Sequence, residues 1–283
     1  MHMPFIKTND IKGNKEMNIF LYIIIFIMGT VFGSFYTLAV YRIPKKIDII
    51  KTHSFCPNCN HKLGFFELIP VFSYLFLGGK CKKCKQKIRP RYFILEILSG
   101  VVFVLIAYGL KIDAYNLDIN TIIRFGFICL YLVSIFIIAG IDKEHRKIEQ
   151  SVLYYGIAVS CFYIIYLCVI DEASIYRYVM YLITLIILLI LENKNQIEKA
   201  SSSYLIELSI LLIVMAINTG FFVTAGCFIG VTCAIALAKL IYTIGNNMNK
   251  SRKENKDIFK LYKIGYLFSI TNVLLFIISL NFR

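Results

Sequence analysis

The chain has 283 residues, of which 58% are hydrophobic and 17% charged, and its formal net charge is +14. A soluble domain is usually about half apolar and a quarter charged, so this composition excludes an ordinary soluble protein and indicates a polytopic membrane protein. The basic residues are spread over several loops, which argues against a nucleic-acid partner. In a membrane protein they are typical of cytoplasmic loops.

Eight apolar stretches of about the length of a membrane span follow one another along the chain. The first is too long for a cleavable signal peptide, so it predicts a retained transmembrane helix. The sixth is short, and its boundary with the seventh falls at "INTGFF". The stretches lie near residues 18–40, 92–110, 121–141, 151–170, 176–191, 204–218, 221–244 and 263–281. The sequence therefore predicts an all-α polytopic membrane protein with about eight transmembrane helices.

The loops between these stretches differ in charge. Residues 42–91 hold twelve Lys and Arg, whereas residues 111–120 and 171–175 are poor in basic residues. Basic loops face the cytoplasm, so we expect a multi-pass protein of the bacterial cytoplasmic membrane with the 42–91 loop in the cytoplasm. We expect three parts: an N-terminal segment with the first helix (residues 1–41), a cytoplasmic domain (42–91) and a seven-helix membrane domain (92–283).

Two Cys-x-x-Cys pairs stand in the basic loop, Cys56 with Cys59 and Cys81 with Cys84. Four thiolates at this spacing suit a structural zinc ion in a small zinc-ribbon-like insertion. Disulfides are disfavoured in the cytoplasm, so metal is the preferred interpretation. The alternative is a pair of reduced or redox-active dithiols.

The motifs around this loop resemble the bacterial type IV prepilin peptidases, which combine leader peptidase and N-methyltransferase activities and are aspartic proteases of the Gly-x-Gly-Asp type. The similar stretches are "GTVFGSFYTLAVYRIP", "ELIPVFSYLFLGGKCKKC" and "RPRYFILEILSG". The similarity is strong over residues 30–100 and weaker to about residue 145. It implies cleavage of the leader of prepilin-like proteins by two aspartates that activate a water molecule.

The resemblance names Asp142, in "GIDKEHRKI", as the first catalytic aspartate. The second aspartate has no counterpart, because the corresponding stretch reads "IEKASSSYLIELSILL" and aligns Tyr204 with it. A tyrosine of ordinary pKa, near 10, cannot act as the base at neutral pH. Glu207, three residues further along the same helix, is one candidate partner for Asp142. Glu198 is the other.

These residues predict a membrane leader peptidase of prepilin-like substrates, in contact with membrane lipids. Methylation of the new N-terminus with S-adenosylmethionine is implied by resemblance only, since the sequence holds no glycine-rich nucleotide loop. The missing aspartate leaves an alternative, an inactive relative that binds prepilins as a membrane scaffold. A membrane carrier or redox protein with cycling cysteine pairs is a further class. One tightly held zinc ion per chain, without an oxidisable dithiol pair, would exclude it.

Overall fold

The computed structural model describes residues 8–49, 51–56, 58–115, 117–170, 175–197, 203–247 and 263–282. Nine α-helices lie in these ranges. They are α1 (Thr8–Arg42), α2 (Phe72–Phe76), α3 (Pro90–Gly109), α4 (Ile119–His145), α5 (Gln150–Val169), α6 (Ile175–Ile197), α7 (Ser203–Thr219), α8 (Phe221–Asn247) and α9 (Ile264–Asn281). Each predicted apolar stretch is therefore a helix, and the all-α fold class is confirmed.

Five helices within the described ranges are long and apolar enough to cross a membrane, namely α1, α3, α4, α5 and α9. The apolar parts of α6, α7 and α8 are shorter. Many large side chains on these helices are exposed, as expected where lipid rather than water covers the surface. The chain is a multi-pass membrane protein.

The chain forms two compact units, residues 1–129 with 280–283, and residues 130–279. In the first unit α1 packs closely along α3, because small residues line their contact. A Cβ atom on Gly33 would lie 2.9 Å from the Cα atom of Glu96, and one on Gly100 would lie 2.7 Å from the ring of Phe26. No larger side chain fits at either position without moving a neighbour.

The second unit is organised around α7, which packs against α5, α6 and α8. Ile164 and Leu167 of α5, Tyr178 of α6 and Ile217 of α7 form one buried apolar cluster. A single residue, Gly220, separates α7 from α8, and its φ of +93° is a conformation that glycine adopts without a steric penalty. The boundary between the sixth and seventh apolar stretches, expected within "INTGFF", therefore lies at Gly220.

Candidate functional site

The two cysteine pairs form two loops of the same local structure. Cys56 accepts a hydrogen bond from the N–H of Asn60 and donates its own N–H to the carbonyl of His61. In the second loop Cys81 makes the equivalent bonds with Lys85 and Gln86. An isolated β-bridge closes each loop, Phe55 with Lys62 and Lys80 with Lys87. Each pair of thiols is therefore presented by a short, hydrogen-bonded turn.

The four sulfur atoms converge. All lie within 4.8 Å of one another, with Cys56 Sγ 3.8 Å from Cys84 Sγ and Cys59 Sγ 4.0 Å from Cys81 Sγ. Four sulfurs at about 2.3 Å from a tetrahedral zinc ion would be about 3.8 Å apart, so the arrangement fits zinc. The Gln86 backbone N–H and the Asn58 amide lower the pKa of Cys84 to about 6, which favours the thiolate that a metal requires. At Cys59 the His61 backbone N–H lowers the pKa, but desolvation and the three neighbouring thiols raise it to about 11, so binding of a metal would displace a proton there.

The neighbouring histidine takes a different partner. His61 Nε2 lies 3.2 Å from Glu67 Oε2, which also accepts the N–H of Gly64 at 2.8 Å. Among the described residues, the group of side chains close enough to share a metal ion consists of the four cysteines alone. The predicted ligand set, Cys56, Cys59, Cys81 and Cys84, is therefore the one that the fold brings together.

A buried arginine connects this module to the end of α1. Arg42 is 4% exposed and donates to four backbone carbonyls, those of Asp48, Ile49, Thr52 and His53, at 2.7–3.2 Å. Guanidinium groups carry several donors in a fixed plane and suit such multiple contacts. The loop that leads from the helix to the first cysteine is thus folded around one side chain.

Asp142 lies near the end of α4 and has no exposed surface. Its Oδ1 accepts a hydrogen bond from the Tyr204 hydroxyl at 3.1 Å, and its Oδ2 accepts one from the Tyr266 N–H at 2.9 Å. Buried carboxylates are retained only where such donors replace water. Asp142 is therefore a buried carboxylate with two hydrogen-bond donors, unlike an exposed residue of a charged loop.

The first turn of α9 supplies part of this environment. Helix N-termini carry free N–H groups and a partial positive charge, which favour an anion. A Cβ atom on Gly265 would lie 3.3 Å from Asp142 Oδ2, so the small residue permits the close approach. The positive charge of Lys263 also interacts with the Asp142 carboxylate. These contacts offset part of the cost of placing a carboxylate where water is excluded.

Tyr204 links Asp142 to the same helix end. Its hydroxyl donates to Asp142 and accepts the N–H of Gly265 at 3.2 Å. The residue aligned with the missing second aspartate therefore contacts the first one directly. Glu207, one turn further along α7, is 6% exposed and interacts electrostatically with Tyr204. The structure thus brings Asp142 to Tyr204, and Tyr204 to Glu207.

Three more acidic residues, Glu96, Glu144 and Glu198, stand in the sequence stretches quoted above. Glu144 is exposed together with its neighbour His145. Glu198 lies outside the described residues. Glu96 accepts hydrogen bonds from the Val71 N–H, at 2.7 Å, and from Ser34.

Sequence reasoning missed the first turn of α9. Gly265 and Tyr266 contribute backbone N–H groups, which leave no signal in residue identity. They are more than 120 positions from Asp142, and no local motif links the two segments. The start of an apolar helix after a basic stretch was the only available hint.

Chemically, the site offers a buried proton acceptor with a hydroxyl donor beside it and a buried carboxyl group one turn further along. Hydrolysis of an amide bond by carboxyl groups needs one group that accepts a proton and another that donates one. Asp142 and Glu207 are two buried carboxyl groups that both lie next to Tyr204.

Part of the chain is similar in sequence to known proteins. The family described as Bacterial Peptidase A24 N-terminal domain matches residues 27–110. The chain is 38% identical over 103 residues to a prepilin leader peptidase/N-methyltransferase of Vibrio cholerae serotype O1, covering 33% of this chain and 40% of that protein. Proteins of the same name match from Bacillus subtilis, 39% identical over 94 residues, and Dichelobacter nodosus, 31% identical over 126 residues.

The match to the Bacillus protein covers 32% of this chain and 38% of that protein. The match to the Dichelobacter protein covers 43% of this chain and 41% of that protein. The matched region therefore spans about two fifths of the length of the relatives. No solved structure matches the chain. The resemblance to the bacterial type IV prepilin peptidases indicated by the sequence motifs is thus confirmed, and its family match rests on residues 27–110.

Proposed function

We propose that the chain is a membrane leader peptidase of prepilin-like proteins, with Asp142 as its catalytic base. The observation that carries the proposal is the buried Asp142 carboxylate, held by Tyr204 and by the N-terminus of α9. The relatives' shared name, prepilin leader peptidase/N-methyltransferase, supplies the substrate class. Zinc in the cysteine module has a structural role in this proposal.

In the proposed reaction Asp142 accepts a proton from a water molecule whose oxygen attacks the scissile carbonyl carbon. Glu207, in its neutral form, donates a proton to the departing amide nitrogen as the C–N bond breaks. Tyr204 keeps the Asp142 carboxylate oriented through its hydroxyl group. Exchange of one proton from Asp142 to Glu207 then restores both groups, and the net reaction consumes one water.

The test is cleavage of a prepilin-like substrate by the full chain in membranes. We expect Asp142→Asn to lower the rate by at least about 100-fold, the usual minimum for loss of a general base. Asp118→Asn is the matched control, because Asp118 lies immediately before the opposite end of α4 and is exposed. Glu207→Gln tests the proposed proton donor separately from the proposed base, Asp142.

Three outcomes are informative. Cleavage that survives Asp142→Asn contradicts the assignment of the base. Normal cleavage by Glu207→Gln removes Glu207 as the proton donor while leaving Asp142 in place. A wild-type chain that binds the prepilin without cutting it would instead be a prepilin-binding scaffold.

We extend the proposal to methylation of the new N-terminal amine with S-adenosylmethionine as donor. The names of the relatives support this extension, and no residues of this chain are assigned to the donor. Incorporation of a labelled methyl group into the cleaved substrate tests it. Cleavage without incorporation would restrict the activity to the peptidase.

We also propose that the cysteine module lies on the cytoplasmic side, with residues 1–41, 42–91 and 92–283 as the three functional parts. The concentration of Lys and Arg in residues 42–91 supports this orientation. Labelling of Lys83, which is exposed, by a membrane-impermeant amine reagent tests it. Labelling in intact cells would reverse the orientation, whereas labelling only in inverted vesicles agrees with it.

A further inference from the structure

The segment between the two cysteine loops exposes a group of large apolar side chains. Two of them, Phe66 and Phe76, are 80% and 86% exposed. Exposed apolar patches of this kind mark contact with another protein or with a membrane. The group, named here the aromatic patch, consists of Phe65, Phe66, Leu68, Phe72, Leu75 and Phe76.

The patch has one exposed side and one packed side. Phe72 and Phe76 stack on each other on the exposed side, with ring centroids 6.4 Å apart. On the packed side Tyr74 stacks on Phe93 of α3 at 4.9 Å. The short helix α2 is therefore fixed against the protein by Tyr74, while its phenylalanines face outward.

The packed side gives the position of the patch along a membrane helix. The Val71 N–H donates to Glu96 Oε2 at 2.7 Å. Glu96 lies six residues after the start of α3, which corresponds to about 9 Å along the helix axis. Since α3 is one of the helices able to cross a membrane, α2 lies beside the first two turns of a membrane span.

Charge complements this position. Exposed lysines lie on both sides of the patch in the chain, at Lys62, Lys80, Lys82, Lys83, Lys85 and Lys87. Residues 58–91 contain a single acidic residue, Glu67. Its carboxylate lies 3.2 Å from His61 Nε2 and accepts a hydrogen bond from the Gly64 N–H. Lysine side chains beside exposed aromatic rings are typical of segments that lie in the membrane surface, where they face lipid phosphates.

We propose that the aromatic patch inserts into the headgroup and upper acyl region of the lipid bilayer, so that residues 65–76 anchor the cysteine module to the membrane surface. The packing of α2 against the first turns of α3 favours lipid over a protein partner, because it holds the outward rings at the level where a membrane span begins. The lysines then face the lipid phosphates.

The absence of tryptophan from the chain makes a clean experiment possible. Phe66→Trp and Phe76→Trp each introduce a single fluorophore into the full chain, which is placed in nanodiscs at one chain per disc. Gln86→Trp, at an exposed position of the second cysteine loop, serves as the aqueous reference. Leu98→Trp, half-exposed on α3, serves as the lipid reference.

We expect emission of both patch variants to be blue-shifted relative to Gln86→Trp. We also expect lipids that carry a quencher near the headgroup to quench both variants severalfold more strongly than lipids that carry it near the chain end. Leu98→Trp should respond more strongly to the deeper quencher than the patch variants do. Retained zinc in each variant verifies that the module is folded.

Water-like emission and quenching by aqueous iodide at both patch positions would overturn the proposal. So would a blue shift that appears only after a prepilin-like peptide is added, since the patch would then be a protein-docking surface. A blue shift confined to discs that hold two chains would show contact between copies and would equally overturn it.

Discussion

The cysteine module and the Asp142 site differ in how far apart their parts lie in the sequence. The two sulfur contacts of the module join residues 28 and 22 positions apart, and each turn is closed by a β-bridge between residues seven positions apart. The Asp142 carboxylate is held by residues 62 and 124 positions away, on the first turns of two other helices. A local motif can therefore be recognised in full from sequence, whereas a site built from helix ends is recognised only in part.

The largest expected effect is on zinc content. Cys84→Ser removes one of four ligands whose sulfurs suit a tetrahedral ion, so bound zinc should fall from one per chain to near zero after dialysis. Elemental analysis of the purified protein measures it. Cys233→Ser, an exposed cysteine of α8, should keep full zinc. A metal-free wild type with oxidised cysteine pairs would support the redox alternative instead.

A smaller effect is expected where the module joins α1. Arg42→Lys cannot reproduce the planar set of bonds to four carbonyls, and we expect it to destabilise the 48–53 segment by about 1.5–3 kcal/mol. Hydrogen exchange of that segment measures the change. Arg89→Lys, at an exposed arginine of the same loop, should have little effect. Equal protection in the two variants would show that the loop does not depend on Arg42.

The long-range site should respond to loss of one hydroxyl. Tyr204→Phe removes the donor to Asp142 Oδ1 and the acceptor for the Gly265 N–H, and we expect a cost of about 1 kcal/mol in the free energy of unfolding. Unfolding of the protein in detergent measures it. Tyr176→Phe, at a position 88% exposed, is the control and should be neutral. An unchanged stability would show that the hydroxyl is replaced by water.

The smallest effect concerns a carboxylate with purely local partners. The Thr121 hydroxyl and N–H lower the pKa of Asp118 below its ordinary value. The stability that the Asp118 carboxylate gives to the first turn of α4 is therefore complete above the unfolded-state pKa of about 3.9. It is lost as the pH falls through the lowered pKa of the folded state. Hydrogen exchange at Thr121, corrected for the intrinsic rate, should show this loss.

Asp118→Asn should keep the protection at neutral pH, because asparagine also caps helices, and should remove its pH dependence. Asp118→Ala should lose protection at every pH. Identical profiles for the wild type and the Asn variant would contradict the role of the carboxylate.

The sequence was sufficient to predict the eight apolar helices, because the length of an apolar stretch is a property of that segment alone. It was also sufficient for the four cysteines and, through the family resemblance, for Asp142 as a candidate. It did not reveal that α9 approaches Asp142, since helix neighbours are chosen by packing among distant segments. It also gave no indication that α2 presents its aromatic rings outward, because a five-residue helix is too short for a clear periodic pattern.

The short length of α7 limits the depth at which Tyr204 can lie in the membrane. With 17 residues it is about 26 Å long, less than the roughly 30 Å of a bilayer's hydrocarbon core. Near its end, Asn218 donates to Ser160 of α5 at 2.7 Å, and Thr219 accepts from Asn272 of α9 at 3.1 Å. Sliding of α7 along its axis would break both bonds in a medium without water to replace them. The polar residues at one end of the helix thereby set the depth of Tyr204 at the other.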